Sequence, residues 1–163
     1  MCLYAPTFFC RTNPPTHTMS KMLLTKEFRL EMAHALVGYD GLCNQIHGHS
    51  YRLEVSVEAA TTHAEGPKMG MAIDFKEVKR AVEESVVAHY DHSLLLRRCA
   101  ENEEVIEVLE RHFERIHATE WQPTSENLLE EFAKLIAEAL PEGVRLHSLR
   151  LHETTTSCAE LVI

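Results

Sequence analysis

The sequence lacks the long hydrophobic runs, the excess of cations and the linker composition that mark several protein classes. No stretch approaches the roughly 18 consecutive apolar residues of a transmembrane helix. Lysine and arginine number 16 against 25 acidic residues, and a net charge of −9 disfavours sequence-independent nucleic-acid binding, which needs clustered cations. Six glycines and six prolines in 163 residues are too few for long linkers. We therefore expect one folded domain that binds neither membranes nor nucleic acid.

Cysteine pairs are lacking as well. The five cysteines are odd in number and form no C-x-x-C motif, which indicates reduced thiols in the cytoplasm rather than a disulfide framework. Histidine is abundant in contrast, with 11 in 163 residues. This density favours metal ligation or acid–base chemistry.

Residues 1–20 differ in composition from the rest of the chain. They contain aromatic residues and the Pro14-Pro15 pair but no lysine and no acidic residue. Their apolar run breaks at Pro6 and ends at Arg11, which is too early for a secretory signal. We expect a disordered extension before a single domain over residues 21–163, with a short anchor or a pairing strand as the alternative.

Hydrophobic periodicity predicts an α+β fold. Strict alternation predicts strands over residues 24–35 and 47–60, and two short strands joined by three threonines are expected over 144–153 and 157–163. Apolar stripes at helical spacing predict three helices, after Asp74, across 105–116 and after Pro123. Because the strands and the helices occur in separate runs, we expect a four-stranded antiparallel sheet with the helices packed on one face.

His34, His47 and His49 are placed to meet at one edge of this sheet. His47 and His49 lie two apart on a strand and share its apolar face, and His34 ends the preceding strand on its own apolar face. Antiparallel pairing sets the three side by side, and three imidazoles with an open fourth position form a catalytic zinc site. Gly48 between two of them would let the backbone bend around the ion. Separately solvated or hydrogen-bonded histidines are the alternative.

Other chemistry-bearing residues lie near the ends of predicted elements. Cys43 precedes His47 by four residues, and its thiol fits a fourth zinc ligand, a nucleophile, a general base or a plain loop residue. Asp91 can orient His92 and raise its basicity, although helix-end capping explains the pair equally well. Glu153 at a strand end could accept the paired N–H donors of a guanidine-like ring edge, or be an ordinary strand-end carboxylate.

Six motifs are spread over residues 24–163, nearly all of the chain outside the first segment. They are MAHAL (32–36), CNQIHGHSY (43–51), GMAIDF (70–75), YDHSLLL (90–96), PTSENL (123–128) and HET (152–154). Together they resemble the 6-pyruvoyltetrahydropterin synthase superfamily. The resemblance implies the tunnelling fold, in which hairpins from several subunits close a barrel. It also implies a trimer or a hexamer of two stacked trimers, with active sites between subunits.

The resemblance implies a role for each candidate residue. It implies zinc bound by His34, His47 and His49. It implies Cys43 as the proton-abstracting thiolate, with Asp91 and His92 completing a relay. It implies Glu153 as the anchor of a pterin ring, with Thr124, Ser125 and Glu126 near the pocket.

The implied activity depends on the loop that carries Cys43. Three residues separate Cys43 from His47, as in the carboxy-forming branch of the family, whereas the pyruvoyl-forming animal branch has a longer spacing and a folate-linked branch has Glu instead of Cys. This implies zinc-dependent conversion of 7,8-dihydroneopterin triphosphate to 6-carboxy-5,6,7,8-tetrahydropterin, acetaldehyde and triphosphate, in queuosine biosynthesis. The alternatives are a 6-pyruvoyltetrahydropterin synthase and a zinc-binding module without turnover. The chain departs from the family pattern at Leu95-Leu96 and in a longer stretch over 97–122, which leaves the substrate preference open.

Overall fold

Two long strands form an antiparallel hairpin at the centre of the fold. Strand β1 (Met22–Ala35) and strand β2 (His47–Ala59) pair along their whole length, with Leu30 opposite Tyr51. Alternate side chains of both strands are buried on one face, because period-two patterns put every second residue on the same side. The two predicted strands and their antiparallel pairing are confirmed.

The structure is a computed structural model that describes residues 22–59 and 62–163. The expected extension over residues 1–20 lies outside these ranges, and the single domain over residues 21–163 stays a prediction. Within the described ranges, no helix has both the length and the apolar character needed to cross a membrane.

The hairpin belongs to a six-stranded mixed sheet with the order β4-β3-β1-β2-β5-β6. The other strands are β3 (Ser93–Arg97), β4 (Ile116–Thr119), β5 (Val144–His152) and β6 (Cys158–Val162). Strand β3 pairs parallel with β1 and with β4, whereas the remaining pairs are antiparallel. The expectation of a four-stranded antiparallel sheet is therefore wrong, because the sheet has two more strands and two parallel pairs. A run such as Leu94-Leu95-Leu96 is typical of a strand covered on both faces and shows no alternation.

Three helices connect these strands. Helix α1 (Phe75–Val82) continues through a π-helical turn at Glu83–Val87 into a last turn at Ala88–Tyr90, and it is followed by α2 (Glu103–His112) and α3 (Ser125–Ala139). Asp74 caps α1 by accepting a hydrogen bond from the Lys76 N–H. The helix predicted across 105–116 extends too far, since α2 ends at His112 and Ile116 begins β4.

The helices cover both faces of the sheet, which corrects the expectation of a single covered face. Leu95 belongs to the main core with α1 and α3, where Phe132 is fully buried. Leu96 packs instead with Ala35 and Ile106, and Ile106 belongs to α2. Consecutive strand residues point to opposite faces, so α2 lies on the face opposite α1 and α3. The second helix is needed there because β3 presents leucines on both sides.

Both edges of the sheet offer backbone groups for further pairing. Within β1, strand β3 pairs with residues 32–35 alone. Residues 22–31 of β1 therefore face no other described strand on that side. Strand β6 forms the opposite edge, where Val162 is 64% exposed. Such edges are templates for strands of another chain.

Candidate metal centre and active site

The side chains of His34, His47 and His49 converge on the face of the sheet that carries the main core. The register sets His34 directly opposite His47, and Met32 opposite His49. One ring nitrogen of each histidine lies within 4.8 Å of the other two. The prediction that strand pairing brings these residues together is confirmed.

Hydrogen bonds at the far side of two rings direct their Nε2 atoms to the point of convergence. The His34 Nδ1–H donates to the Pro123 carbonyl at 2.6 Å, and the His47 Nδ1–H donates to the Gln45 carbonyl at 2.8 Å. Metal-bound histidines are usually held in this way. The two Nε2 atoms then face each other with lone pairs across 3.1 Å, an arrangement that a cation between them stabilises.

This donor set fits zinc. Tetrahedral Zn–N bonds of about 2.0–2.1 Å separate neighbouring ligand nitrogens by about 3.3 Å, close to the observed spacing of the first pair. His34 is only 3% exposed, and burial lowers its pKa below the ordinary value because desolvation disfavours the imidazolium. The ring therefore stays neutral, which is the form that binds metal ions.

The structure gives a steric explanation for glycine at position 48, which differs from the expected bend of the backbone around an ion. A Cβ atom at this position would lie 3.1 Å from the Met32 carbonyl oxygen, so a side chain would push β2 away from β1. The glycine therefore keeps the two histidine-bearing strands in close contact. Gly48 thus affects the histidine cluster only through the spacing of these two strands.

Glu153 lies against the histidines rather than apart from them. Its Oε1 is 3.4 Å from His34 Nε2 and 3.5 Å from His49 Nε2. The buried Tyr51 hydroxyl donates to the same oxygen at 3.3 Å. Burial, reinforced by the charge of Glu153, raises the pKa of Tyr51, so this hydroxyl keeps its proton and remains a donor.

Cys43 sits in a short 3-10 turn, Leu42–Asn44, at the tip of the hairpin. The turn is tied to β1 because the Leu36 N–H donates to the Cys43 carbonyl at 2.8 Å. The Cys43 side chain is half-buried. It is not among the ligand atoms that converge, which favours a role beside the metal over a fourth ligand.

Asp91 and His92 are not part of the set of ligand atoms that converges at His34, His47 and His49. The His92 N–H donates to the Glu31 carbonyl at 2.7 Å, and Asp91 Oδ1 accepts from the Glu31 N–H at 2.8 Å. Glu31 precedes His34 by three residues, about 10 Å along an extended strand. The His92 ring is 74% exposed, lies 3.7 Å from Asp91 Oδ2, and lines an open cleft of about 880 Å³.

The PTSEN segment contacts the histidine cluster through one backbone group. Pro123 accepts the His34 hydrogen bond, and the Thr124 hydroxyl caps α3 by accepting from the Asn127 N–H. Ser125 is buried, and its hydroxyl has no partner in the described ranges, whereas Glu126 is exposed. Of these four, only Pro123 contacts a proposed ligand, and the interaction uses its backbone.

Sequence reasoning missed two groups that hold the centre together. Tyr51 could have been found, because it continues the alternation of His47 and His49 on the same face of β2. The carbonyl of Pro123 could not, because a backbone acceptor leaves no trace in the residue type.

Comparison with known proteins was made on the sequence and on the fold. The family model described as 6-pyruvoyl tetrahydropterin synthase matches residues 23–162. A protein of Haemophilus influenzae named 6-carboxy-5,6,7,8-tetrahydropterin synthase is 32% identical over 139 residues, which cover 84% of this chain and 96% of that protein. A protein of the same name from Synechocystis sp. is 34% identical over 138 residues, which cover 84% and 90%.

The fold is similar to that of a solved structure. The 6-pyruvoyl tetrahydropterin synthase of Caenorhabditis elegans superposes with a TM-score of 0.64 over 89% of this chain and 97% of that one, at 20% sequence identity. At this level of identity the likeness concerns the fold alone.

Proposed function

The chain belongs to the 6-pyruvoyl tetrahydropterin synthase family, and from this premise we propose that it is a zinc-dependent 6-carboxytetrahydropterin synthase. This lyase would convert 7,8-dihydroneopterin triphosphate and one water molecule to 6-carboxy-5,6,7,8-tetrahydropterin, acetaldehyde and triphosphate, a step of queuosine biosynthesis. The relatives with 32% and 34% identity carry the name of that product. The observation that carries the proposal is the convergence of three histidine nitrogens next to a carboxylate and a thiol-bearing turn.

His34, His47 and His49 would hold the zinc ion in this proposal. Bound zinc would supply Lewis-acid chemistry, polarising the side-chain oxygens of the substrate and acidifying the neighbouring C–H bond. The two carbonyl acceptors at Pro123 and Gln45 keep the ligating nitrogens unprotonated and correctly aimed.

Three further groups would handle the substrate. Glu153 would accept two parallel N–H donors from the pterin ring edge. The Cys43 thiolate would remove a carbon-bound proton. His92, oriented by Asp91, would move a proton at a side-chain oxygen. Thr124, Ser125 and Glu126 would border the pocket.

A second copy of the chain would complete the site. His92 and Cys43 both act on the substrate in this proposal, yet the His92 backbone is bonded to Glu31, about 10 Å before His34 along β1, and its ring is exposed at a cleft. An exposed catalytic histidine in a cleft is suited to meet the metal centre of a neighbouring subunit. The open edges of β1 and β6 offer the surface for such an assembly.

We expect the protein to sediment as a trimer or a hexamer at micromolar concentration. A lysine in place of Val162 on the β6 edge should shift the equilibrium towards monomer, because charged residues block edge pairing. Val105→Lys on α2 is the matched control, since Val105 is 51% exposed and does not belong to a strand. Analytical ultracentrifugation of the three proteins gives the answer, and a monomeric wild type would contradict the assembly.

Glu153→Gln is expected to weaken pterin binding about 10- to 100-fold. The amide keeps the shape but removes the charge, and a hydrogen bond to a charged group contributes about 1.5–3 kcal/mol. Fluorescence titration with a non-reacting pterin measures the loss. Glu130→Gln is the control, because Glu130 is exposed on α3 and has no part in the proposed site. Equal affinity in Glu153→Gln and wild type would remove Glu153 from the pterin site.

Product analysis tests the proposed reaction. Incubation of the zinc-loaded protein with 7,8-dihydroneopterin triphosphate should release one acetaldehyde for each triphosphate. Release of triphosphate without acetaldehyde would identify a 6-pyruvoyltetrahydropterin synthase, which keeps all three side-chain carbons. Release of neither would leave a zinc-binding module. His34→Ala, prepared in parallel, controls for contaminating enzymes.

We further propose that the enzyme acts in the cytoplasm. Cys43, Cys99 and Cys158 are free thiols, which suits a reducing compartment. A catalytic thiolate at Cys43 would also need such a compartment to stay reduced.

A further inference from the structure

Arg115 makes an unusual set of contacts at the corner between α1 and β3. One nitrogen of its guanidinium, Nη1, donates to the carbonyls of Asp91 at 2.8 Å, Ala88 at 3.2 Å and His89 at 3.4 Å. These carbonyls end the helical segment that starts with α1, where unpaired acceptors and the helix dipole favour a cation. Arg115 lies in the stretch over 97–122 to which the sequence assigns no function.

The contact with Asp91 bears directly on His92. The Asp91 carbonyl and the His92 N–H belong to one planar peptide unit. Arg115 holds the carbonyl end of this unit, and the Glu31 carbonyl holds the N–H end at 2.7 Å. The orientation of the unit, and with it the direction in which the His92 side chain leaves the backbone, is therefore set from both sides.

His92 needs such support because its backbone is strained. Its φ angle is +60°, a left-handed conformation that residues other than glycine adopt only when the surroundings enforce it. The His92 ring itself is 74% exposed, so packing of the side chain does not enforce the conformation. The backbone of Arg115 is also anchored next to it, since the Leu94 N–H donates to the Arg115 carbonyl at 3.0 Å.

We infer that Arg115 is a positioning residue for His92, which acts by clamping the Asp91–His92 peptide. The inference rests on the catalytic role proposed above for His92. A simple helix cap would account for the contacts with Ala88 and His89. It would not require the shortest of the three contacts to fall on the peptide that leads into His92.

Hydrogen exchange at the His92 amide tests the clamp without any turnover. In the zinc-loaded full-length protein, Arg115→Met should raise the exchange rate of this amide about 10-fold or more. Exchange at the core amides Leu30 and Leu53 should stay as in wild type. Arg115→Lys should restore protection, because all three contacts come from one nitrogen that an ammonium can replace. Arg111→Met, on the same segment and exposed, is the matched control.

A double-mutant cycle tests the catalytic consequence. Arg115→Met should lower kcat about 10- to 100-fold with KM for the pterin triphosphate unchanged, because a small displacement of a catalytic group costs rates of this size. In a His92→Gln background the same substitution should cause no further loss.

The outcomes separate this inference from the proposed function. Unchanged His92 exchange in Arg115→Met, or an equal rise at Leu30 and Leu53, would overturn the clamp. Additive effects in the cycle would show that Arg115 acts independently of His92 and would overturn the positioning role. A wild-type protein without turnover would overturn the proposed reaction, while the exchange experiment would still decide whether Arg115 holds the corner.

Discussion

Replacing His34 with alanine is expected to strip the purified protein of most of its zinc and to abolish turnover. His34 is 3% exposed, and its hydrogen bond to the Pro123 carbonyl leaves Nε2 free for the metal. Loss of a residue that only supports a ligand costs about 10- to 100-fold in metal affinity, so loss of one of three ligands should cost more than 100-fold. Elemental analysis and competition with a chelator measure the effect.

A control variant shows whether zinc is lost because a ligand is removed or because any histidine is removed. His112→Ala removes an exposed histidine of α2 and should keep about one zinc per chain. Circular dichroism of His34→Ala must check that the fold survives, because shortening a buried side chain destabilises a protein. Stoichiometric zinc in the triple variant of His34, His47 and His49 would contradict the proposed centre.

The histidine cluster could be predicted from the sequence because it depends on two simple rules. Period-two alternation places His47 and His49 on one face of β2, and antiparallel pairing with β1 places His34 opposite His47. Both rules act between strands that are adjacent in the chain. The arrangement could therefore be predicted without knowledge of distant packing, and the structure confirms it. The bound metal itself stays a prediction.

The parallel part of the sheet could not be predicted in the same way. Strand β4 has four residues, all of intermediate exposure, and therefore shows no buried face. Its partner β3 lies more than fifteen positions before it, across α2. Ile116 extends the apolar spacing of α2, so a helix over 105–116 was the simplest interpretation. The helix nevertheless ends at His112, and the Phe113 backbone is already extended.

The position of His92 is the part of the site that the local sequence pattern predicts least well. Its neighbours Glu31 and Arg115 come from β1 and from the residue before β4, far away in the sequence. The Asp91-His92 pair suggests a relay, but the dipeptide does not tell which thiol or metal it serves.

Cys43→Ala is expected to lower kcat by about 100-fold or more while one zinc per chain is retained. A positioned general base contributes about 10²–10⁴-fold to a rate, and alanine offers no atom that accepts a proton. Zinc should stay because the Cys43 thiol is not among the converging ligand atoms. Steady-state rates and elemental analysis on the same preparation give both quantities.

The other thiols provide the comparison. Cys99 is half-buried beside Asn102, and Cys158 is exposed at the start of β6, so their replacement by alanine should leave kcat within about twofold of wild type, the range of surface substitutions. Loss of zinc in Cys43→Ala would make the thiol a fourth ligand, because a base beside the metal has no part in holding it. Full activity in the same variant would return Cys43 to the status of a loop residue and transfer the proton abstraction to another group. Retained zinc with lost turnover is the one result that fits a thiolate acting beside the metal.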